Sequence, residues 1–225
     1  NTTGYSNAAV GYQALMTNTT GHNNTAVGKD AMKLTTTGNG RNTAVGTSAL
    51  YTQTTGYQNV AVGHQSLYGL TTGYMNTAVG EKSGMQNTTG IENAFFGFSA
   101  GKLNTTGSGC TALGAYALDA NTTAADNTAL GHHSLGANTT GASNTAIGAD
   151  TLSSVTTGEA NTAVGYGALS AGSNPDADQN TCIGYASGDA IQDGNNNVII
   201  GSLSDPSTAA ANNQIVIGKS AVGGG

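Results

Sequence analysis

The segment Asn-Thr-Ala-Val-Gly at residues 24–28 decides the fold, because variants of it return along the whole chain. Its closing glycine recurs at Gly11, Gly28, Gly46, Gly63, Gly80, Gly97, Gly114, Gly131, Gly148, Gly165, Gly184, Gly201 and Gly218. Neighbouring closing glycines are 17 residues apart, except for one interval of 18 and one of 19. A unit this short cannot bury its own apolar face, so successive units must stack on one another.

Two apolar residues precede each closing glycine. The nearer one, the valine column, is usually β-branched, which favours a strand. The valine column consists of Val10, Val27, Val45, Val62, Val79, Phe96, Leu113, Leu130, Ile147, Val164, Ile183, Ile200 and Ile217. The alanine column lies one residue earlier, as at Ala26, Ala112 and Ala146, with Cys182, Ile199 and Val216 near the end. We predict an all-β protein, a parallel β-solenoid (β-roll) of about 13 coils with this 17-residue repeat.

A second strand is expected in each coil. Ten residues after most closing glycines comes a Thr-Thr-Gly segment, as at 19–21 and 139–141. Threonine favours a strand and glycine permits a tight corner, so we expect two main strands per coil, the second one facing solvent. Asparagine four residues before the closing glycine, as at Asn24 and Asn144, is expected to form a stacked amide ladder.

The core is expected to hold the leucine column, four residues after the closing glycine. It includes Leu15, Leu50, Leu67, Leu118, Leu135, Leu152 and Leu169. Glycines replace leucine at 84, 101 and 188, and we expect Phe95, Phe96 and Phe98 to fill the volume left by the first two.

The chain divides into three segments by pattern. Residues 1–169 form the uniform repeat, 170–179 a loop insertion containing Pro175, and 180–225 isoleucine-rich coils of the same solenoid. Neighbouring residues of a strand face opposite ways, so the alanine and valine columns make both faces apolar. We expect a second copy of the chain to cover the face that the solenoid interior does not. The alternatives are a dimer and a monomer whose alanine face is exposed.

Composition argues against several classes of function. Six basic residues are scattered singly in a chain of net charge −6, which argues against nucleic-acid binding. Apolar runs are too short for a membrane span, and we recognise no signal peptide. Cys110 and Cys182 lie four coil steps apart, roughly 19 Å, too far for a disulfide.

Candidate chemistry is sparse. His132-His133 is read as a surface corner rather than a metal site, despite Asp119, Asp126 and Asp150 nearby. Asp176, Asp178 and residues 193–197 offer oxygen ligands for Ca²⁺ but match no known calcium repeat. We therefore expect a protein with no catalytic residues, no metal and no cofactor.

Residues 161–169 and 18–21 resemble repeats of phage-type tail fibres and related bacterial surface fibres. Residues 212–218 resemble the segment that often precedes a fibre chaperone domain. More distantly, the repeat is similar to the Asn-Ser-Val-Ala-Ile-Gly motif of trimeric autotransporter adhesin heads. The resemblance implies a left-handed β-roll, a homotrimer, and an extracellular location on a virion fibre or cell surface.

Three functions remain open. The first is a structural shaft that joins adjoining fibre segments and supports attachment to a host glycan or protein. The second is an adhesin head that binds a ligand directly. Its possible ligand surface is a set of tyrosines that we expect to be exposed, namely Tyr51, Tyr57, Tyr68 and Tyr74. The third is ice binding by a ladder of Thr19, Thr36, Thr54, Thr71, Thr88, Thr105, Thr122, Thr139 and Thr156. Against ice binding, the threonines of each pair are adjacent, so we expect one to point outward and one inward.

Overall fold

The computed structural model describes residues 2–36, 40–170 and 177–224. The chain forms two compact units, Asn1–Cys110 (unit 1) and Thr111–Gly225 (unit 2). The described residues contain strands, turns and bends but no helix. The predicted loop at 170–179 lies mostly outside the described residues, as does most of the Gly38–Gly40 corner beside the 18-residue interval.

Unit 1 contains six strands, each directly before a closing glycine. They are β1 (Ala8–Val10), β2 (Thr25–Val27), β3 (Thr43–Val45), β4 (Val60–Val62), β5 (Thr77–Val79) and β6 (Ala94–Phe96). Each pairs in parallel with the next along the chain, so that equivalent residues lie side by side, as Ala26 does with Ala44. This in-register stacking confirms the predicted parallel β-solenoid.

Unit 2 continues the same pattern with seven strands. They are β7 (Thr111–Leu113), β8 (Thr128–Leu130), β9 (Thr145–Ile147), β10 (Thr162–Val164), β11 (Thr181–Ile183), β12 (Val198–Ile200) and β13 (Ile215–Ile217). The longer interval before Gly184 does not disturb the register, because Ala163 still pairs with Cys182.

The Thr-Thr-Gly segments form bends, so the prediction of two strands per coil is wrong. Their backbone donors explain why. The N–H groups of Thr54 and Thr55 both point to the carbonyl oxygen of Thr71, at 2.9 and 3.3 Å. Two consecutive donors that converge on one acceptor make a corner, whereas a parallel ladder needs evenly spaced bonds.

The alanine column faces the interior of each coil. From β2 onward its side chains are almost fully buried, including Ala26, Ala112, Cys182 and Ile199. The valine column points the opposite way and is exposed or half-buried throughout. The alternative of an exposed alanine face is therefore wrong, because alanine packs against the coil's own interior.

The leucine column completes the core, as predicted. Leu50, Leu67, Leu118, Leu135 and Leu152 are fully buried. Each has a positive φ, between 47° and 54°, a conformation that normally costs an L-residue roughly 1–2 kcal/mol. Stacked coils hold the backbone in this conformation, because each leucine N–H donates to the carbonyl of the coil that follows, as from Leu50 to Ser66 at 3.0 Å.

Phe95 fills the volume that two glycines leave in the leucine column. Its ring is fully buried, and a Cβ at Gly84 or Gly101 would lie only 2.9 or 2.6 Å from ring carbons. The prediction is confirmed for Phe95. It is wrong for Phe96 and Phe98, which are exposed. In unit 2, Cys182 fills the place beside Gly188 in the same way, since a Cβ there would collide with its sulfur.

A buried amide ladder runs beside the strands and confirms the asparagine prediction. Asn42 Oδ1 accepts the backbone N–H and the Nδ2 of Asn59, at 3.0 and 3.3 Å. Asn59 Nδ2 also donates to the Gly73 carbonyl, at 3.0 Å. Each asparagine therefore ties its own coil to the next one at a corner. Cys110 replaces asparagine at the end of unit 1.

Candidate functional site

The outer face of each sheet is a regular surface of two columns. The valine column provides one, and it remains exposed at Leu113 (48%) and Ile147 (37%). The other lies two residues earlier, where threonine predominates, as at Thr128 and Thr145. At β12 and β13 this second column also becomes aliphatic, with Val198 and Ile215. The outer face is therefore a continuous apolar stripe edged by hydroxyl groups.

Most threonines of the suggested ice-binding ladder use their hydroxyls within the chain. Thr71 Oγ1 donates to the Thr88 carbonyl at 3.0 Å, and Thr139 Oγ1 donates to the Thr156 carbonyl at 3.0 Å. Where both threonines of a pair are described, the first is exposed or half-buried and the second is exposed. The expectation that one of them points into the core is wrong, because the segment is a bend that follows the surface.

The four tyrosines of the suggested ligand surface form two separate stacks. Tyr51 and Tyr68 lie 5.0 Å apart with planes at 10°, and Tyr57 and Tyr74 lie 4.8 Å apart with planes at 4°. All four are half-buried, because neighbouring rings cover one another's faces. They were expected to be exposed, and less of each ring is free for a ligand than that expectation assumed.

Tyr57 belongs to a column of side chains six residues before the closing glycines, here called the ring column. In unit 1 the column reads Tyr5, His22, Gly40, Tyr57, Tyr74, Ile91 and Ser108. Backbone hydrogen bonds establish this order: Arg41 N–H donates to the His22 carbonyl at 3.2 Å, and Gln58 N–H donates to the Gly40 carbonyl at 3.1 Å. Tyr5 and His22 stack at 4.8 Å. Gly40 therefore interrupts a stack of rings.

A cleft lies at this interruption. Its volume is about 210 Å³, and His22, Arg41, Tyr57 and Gln58 line it. This site is not among those predicted from the sequence, although the sequence contains a signal for it. Gly40 stands at the position that an aromatic residue occupies in four of the first five coils, and it falls in the single 18-residue interval.

The two histidines of unit 2 pack with a tyrosine. The His133 ring stacks on Tyr116 at 5.1 Å, and His132 meets both rings edge-on. Throughout residues 2–36, 40–170 and 177–224, no three His, Cys, Asp or Glu side chains form a group able to hold a metal. Of the suggested calcium ligands, Asp176 lies outside the described residues, and Asp178 Oδ1 accepts the Glu159 N–H at 2.7 Å.

Burial alters the acidity of two side chains in unit 2. It raises the pKa of the Cys182 thiol to about 12, with a smaller contribution from the Asp205 carboxylate. Burial, followed by the charge of Asp205 and a hydrogen bond with it, raises the pKa of Asp189. Cys110 is buried as well, and neither cysteine forms a disulfide. The thiols are therefore small core side chains.

No known protein family, curated protein or solved structure matches the chain. Within the part of the chain that the structure describes, no helix has the length and apolar character needed to cross a membrane. Proposals about function therefore depend on the repeat, the outer face and the cleft.

Proposed function

We propose that this chain is a non-enzymatic structural segment of an extracellular fibre, a shaft that joins neighbouring fibre segments and supports attachment to a host or surface. Its uniformity supports this role. Within each unit, successive coils bond through the same strand pairing and, in most coils, the same buried asparagine. A surface that repeats in this way suits a spacer, because no single coil is chemically different from the rest.

The exposed apolar stripe is the observation that carries the proposal. In unit 2 the valine column consists of Leu113, Leu130, Ile147, Val164, Ile183, Ile200 and Ile217. Side chains that are about two-fifths exposed contribute roughly 0.6–1.2 kcal/mol each when covered, or about 4–8 kcal/mol for the seven. Stripes this continuous are uncommon on monomers and mark interaction surfaces.

We propose that copies of the same chain cover this stripe in a homotrimer, with the valine column towards the shared axis. The stripe has the same repeat in every copy, so parallel copies present equivalent side chains at equal heights. The number three comes from the resemblance to trimeric surface fibres. That resemblance also supports the location on a virion fibre or cell surface.

Sedimentation equilibrium of the intact chain tests this assembly. We expect a species of three times 22.1 kDa. Ile147→Asp places a charge on the stripe and should lower the assembly state while the circular dichroism spectrum stays unchanged. Ser143→Asp, at an exposed position, is the matched control and should leave the trimer intact. A parent chain that sediments as a monomer at micromolar concentration would refute the proposal.

Ice binding is the second candidate, and the structure favours a different column of threonines for it. Thr128, Thr145 and Thr162 lie on the outer face of their strands, next to the exposed valine column. This arrangement gives a flat lattice of hydroxyl and methyl groups, which the bent Thr-Thr-Gly segments do not. Thermal hysteresis from a monomeric chain, lost in Thr145→Lys, would favour this function over the trimer, because one face cannot do both.

A further inference from the structure

We propose that the cleft at Gly40 binds a single six-membered ring that carries a carboxylate, held between the His22 and Tyr57 rings with its carboxylate on Arg41. This inference is independent of the proposed fibre role, because all of these residues belong to unit 1 of one chain. The spacing of the coils, the volume of the cleft and the charge of Arg41 each support it.

The spacing of the coils suits an inserted ring. His22 and Tyr57 are two coil steps apart, which corresponds to roughly 9.6 Å. A ring midway between them would lie about 4.8 Å from each, within the range that aromatic pairs prefer. The same column already shows this distance on both sides of the cleft, at 4.8 Å for Tyr5 with His22 and 4.8 Å for Tyr57 with Tyr74. The ligand would continue an existing stack.

Residue 40 cannot provide that ring itself. Gly40 has a φ of +64°, and a Cβ built on it would collide with the His22 carbonyl oxygen. The backbone of Gly40 therefore holds the two rings apart, and Gly40 itself places no side chain between them. A volume of about 210 Å³ is below the range of roughly 300–1,000 Å³ typical for drug-sized ligands, and it limits the occupant to one ring.

The lining selects an anion. Arg41 is exposed beside the opening, and the described residues provide no ion-pair partner for its guanidinium. None of the four described lining residues carries a carboxylate, and the Gln58 amide adds a neutral donor and acceptor. A guanidinium offers paired donors that match the two oxygens of a carboxylate. A ring that carries a carboxylate can therefore stack on His22 and Tyr57 and pair with Arg41 at the same time.

Two kinds of molecule share this chemistry, namely sugar acids and aromatic acids. Ligand-observed saturation-transfer NMR on the intact chain distinguishes them, with glucuronate and 4-hydroxybenzoate as probes and glucose and phenol as their neutral counterparts. We expect saturable binding of at least one acid, and the acid that binds identifies the source. If neither acid binds at up to tens of millimolar, the proposal is overturned.

Variants separate the contribution of Arg41 to ligand binding from that of the His22 and Tyr57 rings. Arg41→Gln should weaken the acid by about tenfold to a hundredfold, the range of a lost charge-assisted pair, and leave any binding of the neutral counterpart unchanged. Glutamine suits this backbone, because Gln58 occupies the equivalent position of the next coil with a φ of 55°, against 59° at Arg41. An unchanged affinity in Arg41→Gln contradicts the assignment.

Tyr57→Ala removes one face of the cleft and should abolish binding of both probes. Tyr68→Ala is the matched control, since it removes a ring of the other stack and should bind as the parent does. His22→Ala gives the same test from the opposite side if Tyr57→Ala loses its circular dichroism spectrum. Binding that survives both cleft variants would refute the sandwich.

Discussion

The Phe95 ring provides a direct test of how the interior of unit 1 is filled. Phe95→Ala would leave a cavity that faces Gly84 and Gly101, and neither glycine has a side chain that can move into it. Truncation of a buried phenylalanine costs about 3–5 kcal/mol, and the cost increases when the surroundings cannot collapse. We therefore expect a loss of free energy of unfolding near the upper end of this range.

Leucine side chains added at Gly84 and Gly101 should destabilise the parent chain but stabilise the Phe95→Ala variant. With the ring present, Gly101→Leu would place its Cβ 2.6 Å from a ring carbon, and overpacking of this kind costs roughly 1–3 kcal/mol. The triple variant Phe95→Ala, Gly84→Leu, Gly101→Leu restores the alanine and leucine pattern of the other coils. Leucine suits this backbone, since φ is 58° at both glycines and 54° at Leu118. We expect the triple variant to lie within about 1 kcal/mol of the parent, despite the cost of each single change.

Urea denaturation of the intact chain, followed by circular dichroism, measures these differences. Stacked repeats can unfold in parts, so hydrogen exchange in β5 and β6 should be recorded as a local measure. Phe98→Ala is the control, because its ring is 40% exposed and its loss should cost under about 1 kcal/mol. If the triple variant is as unstable as Phe95→Ala, the complementary filling of the core described above is wrong.

Three further predictions concern unit 2. Because its pKa is about 12, the Cys182 thiol should resist iodoacetamide at pH 8 and react only as urea opens the fold; rapid alkylation of the native chain, followed by mass spectrometry, would contradict its burial. The pKa of Asp189 is higher in the folded chain than in the unfolded one, so this carboxyl group destabilises the fold as pH rises through the folded pKa. Asp189→Asn should therefore raise the Tm at pH 7 and leave it unchanged below about pH 3.9. Equal Tm differences at both pH values would refute this. Asn144→Ala should cost about 2–4 kcal/mol in chemical denaturation, since the Asn161 backbone and side-chain N–H groups lose their acceptor, whereas the exposed Ser143→Ala should cost little.

The repeat by itself determined the solenoid, its parallel register and much of its core. Identical residues at intervals of 17 can bury their apolar groups only by lying beside their counterparts in the next coil, as Ala26 does with Ala44. The same reasoning correctly predicted the asparagine ladder, because a buried amide needs a partner and the equivalent amide is the nearest one. It also placed the leucines and Phe95 inside. The closing glycines are required because the backbones of successive coils approach closely there: a Cβ at Gly63 would collide with the Gly80 carbonyl oxygen.

Only the tertiary structure decided which of two apolar neighbours faces inward. Alternation along a strand requires opposite directions for Ala146 and Ile147 but does not say which is which. Side-chain size does not decide it, because β9 buries Ala146 while β12 buries Ile199 in the same column; the interior is the side of the strand on which the turns close the coil. Likewise, threonine propensity predicted a second strand, but convergent backbone donors made a bend. The cleft at Gly40 also needed the structure, because a missing side chain becomes a site only when rings from neighbouring coils lie on either side of it.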